Sequence, residues 1–426
     1  MPLYIFTHLL YFYQMDRKLN FFIPALLFLF ITVMLPYLPG LEFDNRDCWQ
    51  AWALYIHNNG LRNAYGSTTD YMPVYQYFLW FYGKLMGTDK AIADNIPYLR
   101  CITLAFDFLG IWYVFKWIDK KLAYFVILAI CILNISYTYD TIIWGQMDGT
   151  LSAMIFISLY YAWKGSNFRS AVWLILAFNF KIQTVVILPV WGLLFVNNYL
   201  TGRKIRDIAL PIMAVAIIQV LLIIPFTLGQ HGAREILHIV THSFNKYQAI
   251  SIKAPNLWHW IVPGNLLYAV DTKVWIAGLT YKQAGLILFF TTSFFALLPL
   301  IKLVIKNLNP ANNHSKISRE LIWATSAMVY LLFYYFNTEI HERYCHPAFI
   351  FITAYAFFTG DFIVYVLFSI MYFLTLEYSM QHLKLPNYDT LIFNFRFLSA
   401  INAFIIVYLA FKINKFYKIS LKSDVS

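Results

Sequence analysis

Residues 208–228 read IALPIMAVAIIQVLLIIPFTL, and none of these side chains carries a charge. A helix needs about 20 apolar residues to cross the hydrocarbon core of a bilayer. This stretch is therefore predicted to span a membrane. The composition of the whole chain agrees, because only 12% of its 426 residues are charged, whereas soluble domains carry about 25%.

Similar apolar stretches recur along the chain. Long ones lie at 20–38, 99–115, 284–301, 320–336 and 391–411, and shorter ones at 122–136, 150–163, 171–180, 184–199, 347–360 and 362–376. We expect an all-α polytopic membrane protein with about twelve transmembrane helices. Residues 1–426 are expected to form a single membrane-embedded domain.

Two long segments between the spans are rich in aromatic residues and are expected to contribute to a functional site. They cover 39–98 and 229–283. Within the first, 49–57 and 75–86 are predicted to form amphipathic juxtamembrane helices, because aromatic rings favour the membrane interface.

The distribution of basic residues predicts the orientation. Eighteen of the 32 Lys and Arg residues fall in the N-terminus, four short loops and the C-terminal tail. Because basic loops stay in the cytoplasm, both termini are predicted to be cytoplasmic and the two aromatic loops extracytoplasmic. The net charge of +11 then reflects topology, and nucleic acid is not an expected partner. The lipid bilayer is the expected partner.

In this topology, six polar clusters converge on the outer side of the membrane. They are FDNRDCW (43–49), DYMPVY (70–75), WGQMD (144–148), FKIQ (180–183), APNLWHW (254–260) and EIHERYCHP (339–347). The stretches 150–163 and 171–180 are too short to cross a full bilayer, so Lys181 and Gln183, which follow them, are expected to lie part of the way across the membrane. Polar groups at that depth need a cavity or a protein interior, so a recessed pocket that opens outward is predicted.

Four carboxylates in these clusters each have a chemical and a structural interpretation. Asp44 or Asp47 could take a proton from an acceptor hydroxyl, or could belong to a solvated loop. Asp70 and Asp148 could cap the helices that follow them, or could bind hydroxyls.

The basic residues suggest phosphate binding. Lys181 inside a membrane is a functional hypothesis by default, with a snorkelling lysine as the alternative. Arg343 could hold phosphate through two parallel bonds, or could form a structural pair with Glu342. The histidines of the same cluster stand five residues apart, which does not fit the zinc motif.

Two further pairings are proposed from the sequence. Asp107 is expected to pair with Arg100 or with a neighbouring hydroxyl. Cys48 and Cys345 could form a disulfide on the outer face.

Together these motifs resemble the GT-C superfamily of polyprenyl-phosphate-sugar-dependent glycosyltransferases, and most of all the prokaryotic relatives of the GPI mannosyltransferase II and ALG glucosyltransferase families. The likeness covers most of the chain, through the Asp after the first span, 70–75, 144–148, 181–183, 256–258 and 341–344. In that superfamily an Asp of the first outer loop is the catalytic base, which maps to Asp44 or Asp47. The chain departs from the common pattern at Met72, where a second proline is usual.

The resemblance implies transfer of a hexose, mannose or glucose, from a polyprenyl-phosphate carrier to a hydroxyl of a glycan, lipid or protein. It implies inversion at the anomeric carbon, no metal and no cofactor, since the lipid-linked sugar is a substrate. The expected location is a bacterial cytoplasmic membrane, with the site on the outer face. The expected catalytic residues are Asp44 and Asp47; the phosphate-binding residues are Lys181, Gln183, Arg343 and His341; the sugar- and acceptor-binding residues are Asp70, Tyr75, Gln146, Asp148, Asn256, Trp258, Glu342 and Tyr344.

Two alternatives remain open from the sequence. One is a lipid-linked oligosaccharide flippase or sugar transporter, which requires polar groups at the midplane and often uses paired half-repeats. The other is a glycan polymerase, which would share the fold and the outer site.

The charge asymmetry makes a prediction about topology. Cysteines introduced in 60–66 should react with an impermeant thiol reagent from outside intact cells, and cysteines in 309–314 only after permeabilisation. The unaltered chain is the control for its four native cysteines. Labelling of both regions from one side would contradict the predicted convergence of the polar clusters.

Overall fold

The computed structural model describes residues 19–38, 43–119, 124–202, 204–229, 232–242, 246–308 and 317–422. These residues are almost entirely helical. The α-helices are α1 (Leu19–Met34), α2 (Ala51–Asn59), α3 (Pro73–Met86), α4 (Asp89–Asp94), α5 (Arg100–Ile118), α6 (Tyr124–Leu133), α7 (Ile135–Thr138), α8 (Asp148–Trp163), α9 (Asn167–Phe178), α10 (Leu188–Gly202), α11 (Arg206–Thr227), α12 (Gly232–His242), α13 (Trp258–Ile261), α14 (Tyr281–Leu308), α15 (Arg319–Phe336), α16 (His346–Thr359), α17 (Ile363–Met380) and α18 (Phe395–Lys422).

Shorter elements connect these helices. Tighter turns of 3₁₀ type cover Leu35–Tyr37, Leu61–Gly66, Ile96–Leu99, Ile182–Ile187 and Leu391–Phe393, and wider π-type turns cover Phe43–Gln50 and Tyr139–Trp144. The strands are β1 (Ser251–Ile252), β2 (Val274–Ile276), β3 (Leu279–Thr280) and β4 (Ile340–His341). β1 pairs in parallel with β4, and β2 pairs antiparallel with β3.

Seven helical stretches in the described residues are long and apolar enough to cross a bilayer. They are Asn20–Tyr37, Ile96–Ile118, Ile182–Gly202, Arg206–Thr227, Tyr281–Leu308, Ile363–Met380 and Phe395–Leu421. An eighth is formed if α6 and Ile135–Trp144, which meet at a bend of 74°, are one broken span. The all-α membrane architecture is thus present, with fewer stretches of full length than the twelve expected.

Among the remaining helices, α8, α15 and α16 are surrounded by protein, which explains why they are shorter or more polar than the long spans. In α8, 14 of 16 residues are buried, and in α15, 14 of 18. α8 packs against α5, α9 and α16, and α16 packs against α15. A helix inside the bundle does not need to present apolar side chains to lipid, so its sequence tolerates Ser, Thr and Tyr. Three of the polar clusters lie at the ends of these central helices: 144–148 before α8, and 339–347 between α15 and α16, with 180–183 following α9.

The first aromatic segment, described from residue 43 to residue 98, packs against the helical bundle. Its two helices, α2 and α3, lie within two residues of the predicted amphipathic helices and pack against each other. Pro73 occupies the first turn of α3, where its missing N–H costs nothing. No side chain caps that helix, so the capping interpretation of Asp70 is wrong.

Gly149 allows a carboxylate to approach the start of α8. A Cβ atom added at this glycine would lie 2.0 Å from Asp107 Oδ1. The other oxygen of Asp107 accepts a hydrogen bond from the Thr141 hydroxyl at 2.8 Å. Asp107 therefore pairs with a neighbouring hydroxyl, as one of the two sequence expectations proposed, while Arg100 donates to the carbonyl of Ile142.

Gly149→Ala should destabilise the protein by about 1–3 kcal/mol, the usual cost of overpacking a filled interior. The matched control is Gly192→Ala in α10, where an added Cβ meets no atom within 4 Å and helix propensity slightly favours Ala. Melting temperatures in detergent compare the two. An equal melting temperature for both variants would contradict the close approach of Asp107.

Candidate functional site

Asp44 joins the first outer loop to the 144–148 cluster. It lies in the wide turn Phe43–Gln50, and its Oδ2 accepts hydrogen bonds from Trp144 Nε1 at 2.7 Å and Gln146 Nε2 at 2.9 Å. Gly145 has a φ of 85°, a left-handed conformation that glycine adopts without strain. This turn directs the side chains on both sides of Gly145 toward the same carboxylate. Asp47, three residues further on, is exposed.

Four charged side chains form an ion network next to this carboxylate, which we call the ion quartet: the buried Asp148, Lys181 and Glu342, and the partly buried Arg343. Lys181 Nζ lies 2.5 Å from Asp148 Oδ1. Arg343 Nε lies 3.4 Å from Asp148 Oδ2, and Arg343 Nη1 lies 2.8 Å from Glu342 Oε1. Two positive and two negative charges are thus paired away from water, as buried charges require.

The backbone at each position explains why these groups meet. Asp148 is the first residue of α8, and Lys181 is an extended residue just after α9, so the short helix pair returns the chain to the same level. Arg343 lies in the turn between β4 and α16, and β4 is held by β1. The capping interpretation of Asp148 is wrong, because its carboxylate pairs with Lys181 and caps no helix.

The electrostatics keep the Glu342–Arg343 pair charged. Burial would raise the pKa of Glu342, but His341 and Arg343 beside it lower that pKa to about 2. Burial would likewise lower the pKa of Arg343, but Glu342 and Asp148 raise it well above its ordinary value. Burial lowers the pKa of His341, whose Nδ1 lies 3.7 Å from Glu342 Oε2.

Aromatic rings surround the two cations. Arg343 lies over the ring of Trp144, 5.2 Å from its centre, so Trp144 contacts both Asp44 and the ion quartet. Lys181 lies 5.9 Å from the ring centres of both Tyr71 and Tyr344. Trp144 is a residue that the sequence analysis did not assign, although the Trp-Gly pair of its cluster stood out.

A cavity of about 890 Å³ begins at these cations. Its polar end includes Lys181, Gln183, Arg343 and Tyr344. Its apolar branch is lined by Ile182, Val185, Val186 and Pro189, by Leu286, Phe289, Phe290, Phe294 and Leu297 of α14, and by Val329 and Phe333 of α15. Phe290 and Phe294 are 64% and 54% exposed, so the branch is open along α14.

Two further ion pairs lie at the cavity wall. Lys246 pairs with Asp70, and Lys282 Nζ lies 2.5 Å from Glu339 Oε1. Only Asp70 of these four was assigned a binding role from the sequence. Lys246 and Lys282 lie in the aromatic segment 229–283, where no local pattern distinguishes them from solvated charges, and Glu339 is the first residue of the 339–347 cluster.

Several predicted binding residues do not line this cavity. Trp258 is buried, donates to the carbonyl of Phe336, and packs against Trp275. Tyr75 packs against Trp49, and Asn256 is buried with an amide that makes no hydrogen bond within the described chain. These side chains support the walls of the site.

The cysteines considered for a disulfide are both free thiols. Cys345 is buried and Cys48 is partly buried. The segment 43–98 is therefore joined to the bundle without a disulfide, through packing, the Asp44 hydrogen bonds and the Lys246–Asp70 ion pair.

The site thus combines an oriented carboxylate, two buried cations next to an open cavity, and an apolar branch. No protein-family model matches this sequence, and no curated protein matches it.

Proposed function

We propose that the protein transfers a hexose from a polyprenyl-phosphate carrier to an acceptor hydroxyl, as an inverting glycosyltransferase of the GT-C type. The observation that carries this proposal is the cavity, because its two ends differ so strongly in chemistry. One end presents Lys181 and Arg343, and the other is an apolar branch open along α14. An isoprenoid phosphate has the same division between an anionic head and an apolar chain.

The twelve-helix count belongs to this proposal. The seven long spans and the broken one, together with the helices α8, α9, α15 and α16, would make twelve membrane-embedded segments. The clusters that meet at the ion quartet would then all face outward, in agreement with the distribution of basic residues.

Asp44 is the proposed base. Both of its hydrogen bonds go to Oδ2, so the carboxylate is fixed in orientation and Oδ1 is the oxygen for the acceptor hydroxyl. The acceptor oxygen would form a bond to the anomeric carbon as the bond from that carbon to the phosphate oxygen breaks. The hydroxyl proton passes to Asp44, and the departing phosphate is stabilised by Lys181 and Arg343.

A metal is not required for this chemistry, because the two cations can neutralise the leaving group. His341 and Gln183 lie beside them and could orient phosphate oxygens. Tyr344 and the Lys246–Asp70 pair, which line the same cavity, would contact the sugar or the acceptor. The aromatic rings around Lys181 would keep water from the donor.

A transporter or flippase is the second candidate, and one feature favours it. The span α6–α7 is broken at a 74° bend, and the turn that follows carries Asp140, which is fully buried with neither oxygen hydrogen-bonded in the described chain. Transporters use broken helices to form their binding sites. A flippase would move the lipid-linked sugar without forming a glycosidic bond. A glycan polymerase would use the same site with a growing chain as acceptor.

Asp44→Asn should abolish sugar transfer and leave donor binding intact, because the amide is nearly isosteric but cannot accept the proton. Asp47→Asn should lower the rate of sugar transfer by less, within the roughly 10²–10⁴-fold range expected when a proton-transfer or positioning group is lost. Transfer is measured with radiolabelled polyprenyl-phosphate hexoses and a membrane extract, with the exposed Asp94→Asn as control on the same loop. An active Asp44→Asn beside an inactive Asp47→Asn would move the base to Asp47, and activity in both would exclude this loop from the chemistry.

Lys181→Ala and Arg343→Ala should each raise the donor concentration needed for half-maximal transfer, because each removes a charged contact to phosphate. Arg343→Lys should restore little, since an ammonium cannot make two parallel bonds. Lys412→Ala is the matched control: its amine pairs with Asp361 at 2.6 Å, beyond the opposite end of α16. Parental donor dependence in both site variants would place the phosphate elsewhere.

A further inference from the structure

Asp148 lies behind the two cations that the cavity exposes. Lys181 and Arg343 line the cavity, whereas Asp148 does not. Its carboxylate contacts Lys181 on one oxygen and faces Arg343 on the other. Asp148 is 2% exposed and Lys181 is 8% exposed. Each cation therefore has the carboxylate on its inner side and the cavity on its outer side.

The contact between Asp148 and Arg343 is incomplete. Asp148 Oδ2 and Arg343 Nε are both buried, lie 3.4 Å apart, and neither makes a hydrogen bond within the described chain. A guanidinium fork can hold an anion through two parallel N–H bonds, but here one of its nitrogens is committed to Glu342 and another only approaches Asp148. The cations are neutralised in charge, while part of their hydrogen-bonding capacity is unused.

We propose that Asp148 is a built-in counter-ion of the phosphate subsite. Its carboxylate stays against Lys181 and Arg343 until a phosphate ester displaces it. The inference rests on the proposed function, because it takes these cations as the phosphate ligands. It assigns to Asp148 a role in specificity, in place of the contact to sugar or acceptor expected from the sequence. The donor phosphate must break the Lys181–Asp148 ion pair before it gains its own contacts.

This competition would exclude the wrong lipids. A bilayer contains many phosphodiester headgroups, and two unopposed cations beside an open apolar branch would bind them. Because a carboxylate already contacts the cations, an anion can bind there only if its own contacts are strong enough to displace that carboxylate. Only a ligand that also fills the apolar branch and the sugar subsite would make enough contacts to displace it.

The test is a binding measurement on the full-length protein in lipid nanodiscs. The probes are farnesyl phosphate, farnesol, inorganic phosphate and phosphatidylglycerol. Comparison of the first with the second tests the anionic head, comparison with the third tests the prenyl chain, and the fourth represents an ordinary lipid headgroup. Asp148→Asn should bind farnesyl phosphate about tenfold to a hundredfold more tightly than the parent, the value of one released charge-assisted contact. It should also gain affinity for phosphatidylglycerol. Asp361→Asn, which breaks the matched pair with Lys412, should change neither.

The outcomes separate this inference from the proposed function. If the parent prefers farnesyl phosphate to farnesol but Asp148→Asn binds it equally or more weakly, the counter-ion role is overturned while the phosphate subsite stands. If the parent shows no preference for the phosphate, the subsite and the counter-ion fail together.

A second measurement covers the case in which Asp148→Asn does not fold. A structure of the parent protein with farnesyl phosphate bound should show Lys181 turned from Asp148 to the phosphate. Lys181 still in contact with Asp148, with phosphate bound elsewhere, would overturn the inference.

Discussion

A charge inside a membrane protein must be paired, and this constraint fixes the part of the molecule around the ion quartet. Transfer of a lone ammonium or carboxylate out of water costs several kcal/mol even after relaxation, so Asp148, Lys181, Glu342 and Arg343 can be buried only together. Their positions in the chain are far apart, at the start of α8, after α9 and before α16. Each of these helix ends is therefore held at the same level by its contribution to one ion network.

The helices fall into two groups. The first group has long apolar sequences that suit contact with lipid. The second group is buried, and the residues of the site lie at the ends of its helices. α8 and α15 are short or polar by the standards of a membrane span, yet nearly all of their residues are buried. Trp144 connects Asp44 to the ion quartet, because its indole N–H donates a hydrogen bond to Asp44 and its ring face lies under Arg343.

The sequence predicted the features that depend on local pattern and failed on those that depend on partners. Apolar length predicted the all-α membrane character, with seven full-length stretches in the described residues where about twelve were expected, and aromatic content predicted α2 and α3. The position of Lys181 after two short apolar stretches predicted a cavity beside it. The capping roles of Asp70 and Asp148 were wrong because a carboxylate before a helix has the same local pattern whether it bonds to backbone N–H groups or to a lysine 33 or 176 residues away. The contribution of Lys246 and Lys282 could not be predicted, since the carboxylates that they pair with, Asp70 and Glu339, come from other parts of the chain.

The open side of the cavity has a consequence for how any lipid ligand would be supplied. Phe290 and Phe294 border the apolar branch and are exposed on α14, so a ligand can enter sideways from the bilayer without passing through water. Its supply is then two-dimensional: occupancy depends on the mole fraction of the ligand among the surrounding lipids, and the volume of the aqueous phase is irrelevant. Dilution with inert lipid would lower occupancy, and dilution with buffer would leave it unchanged.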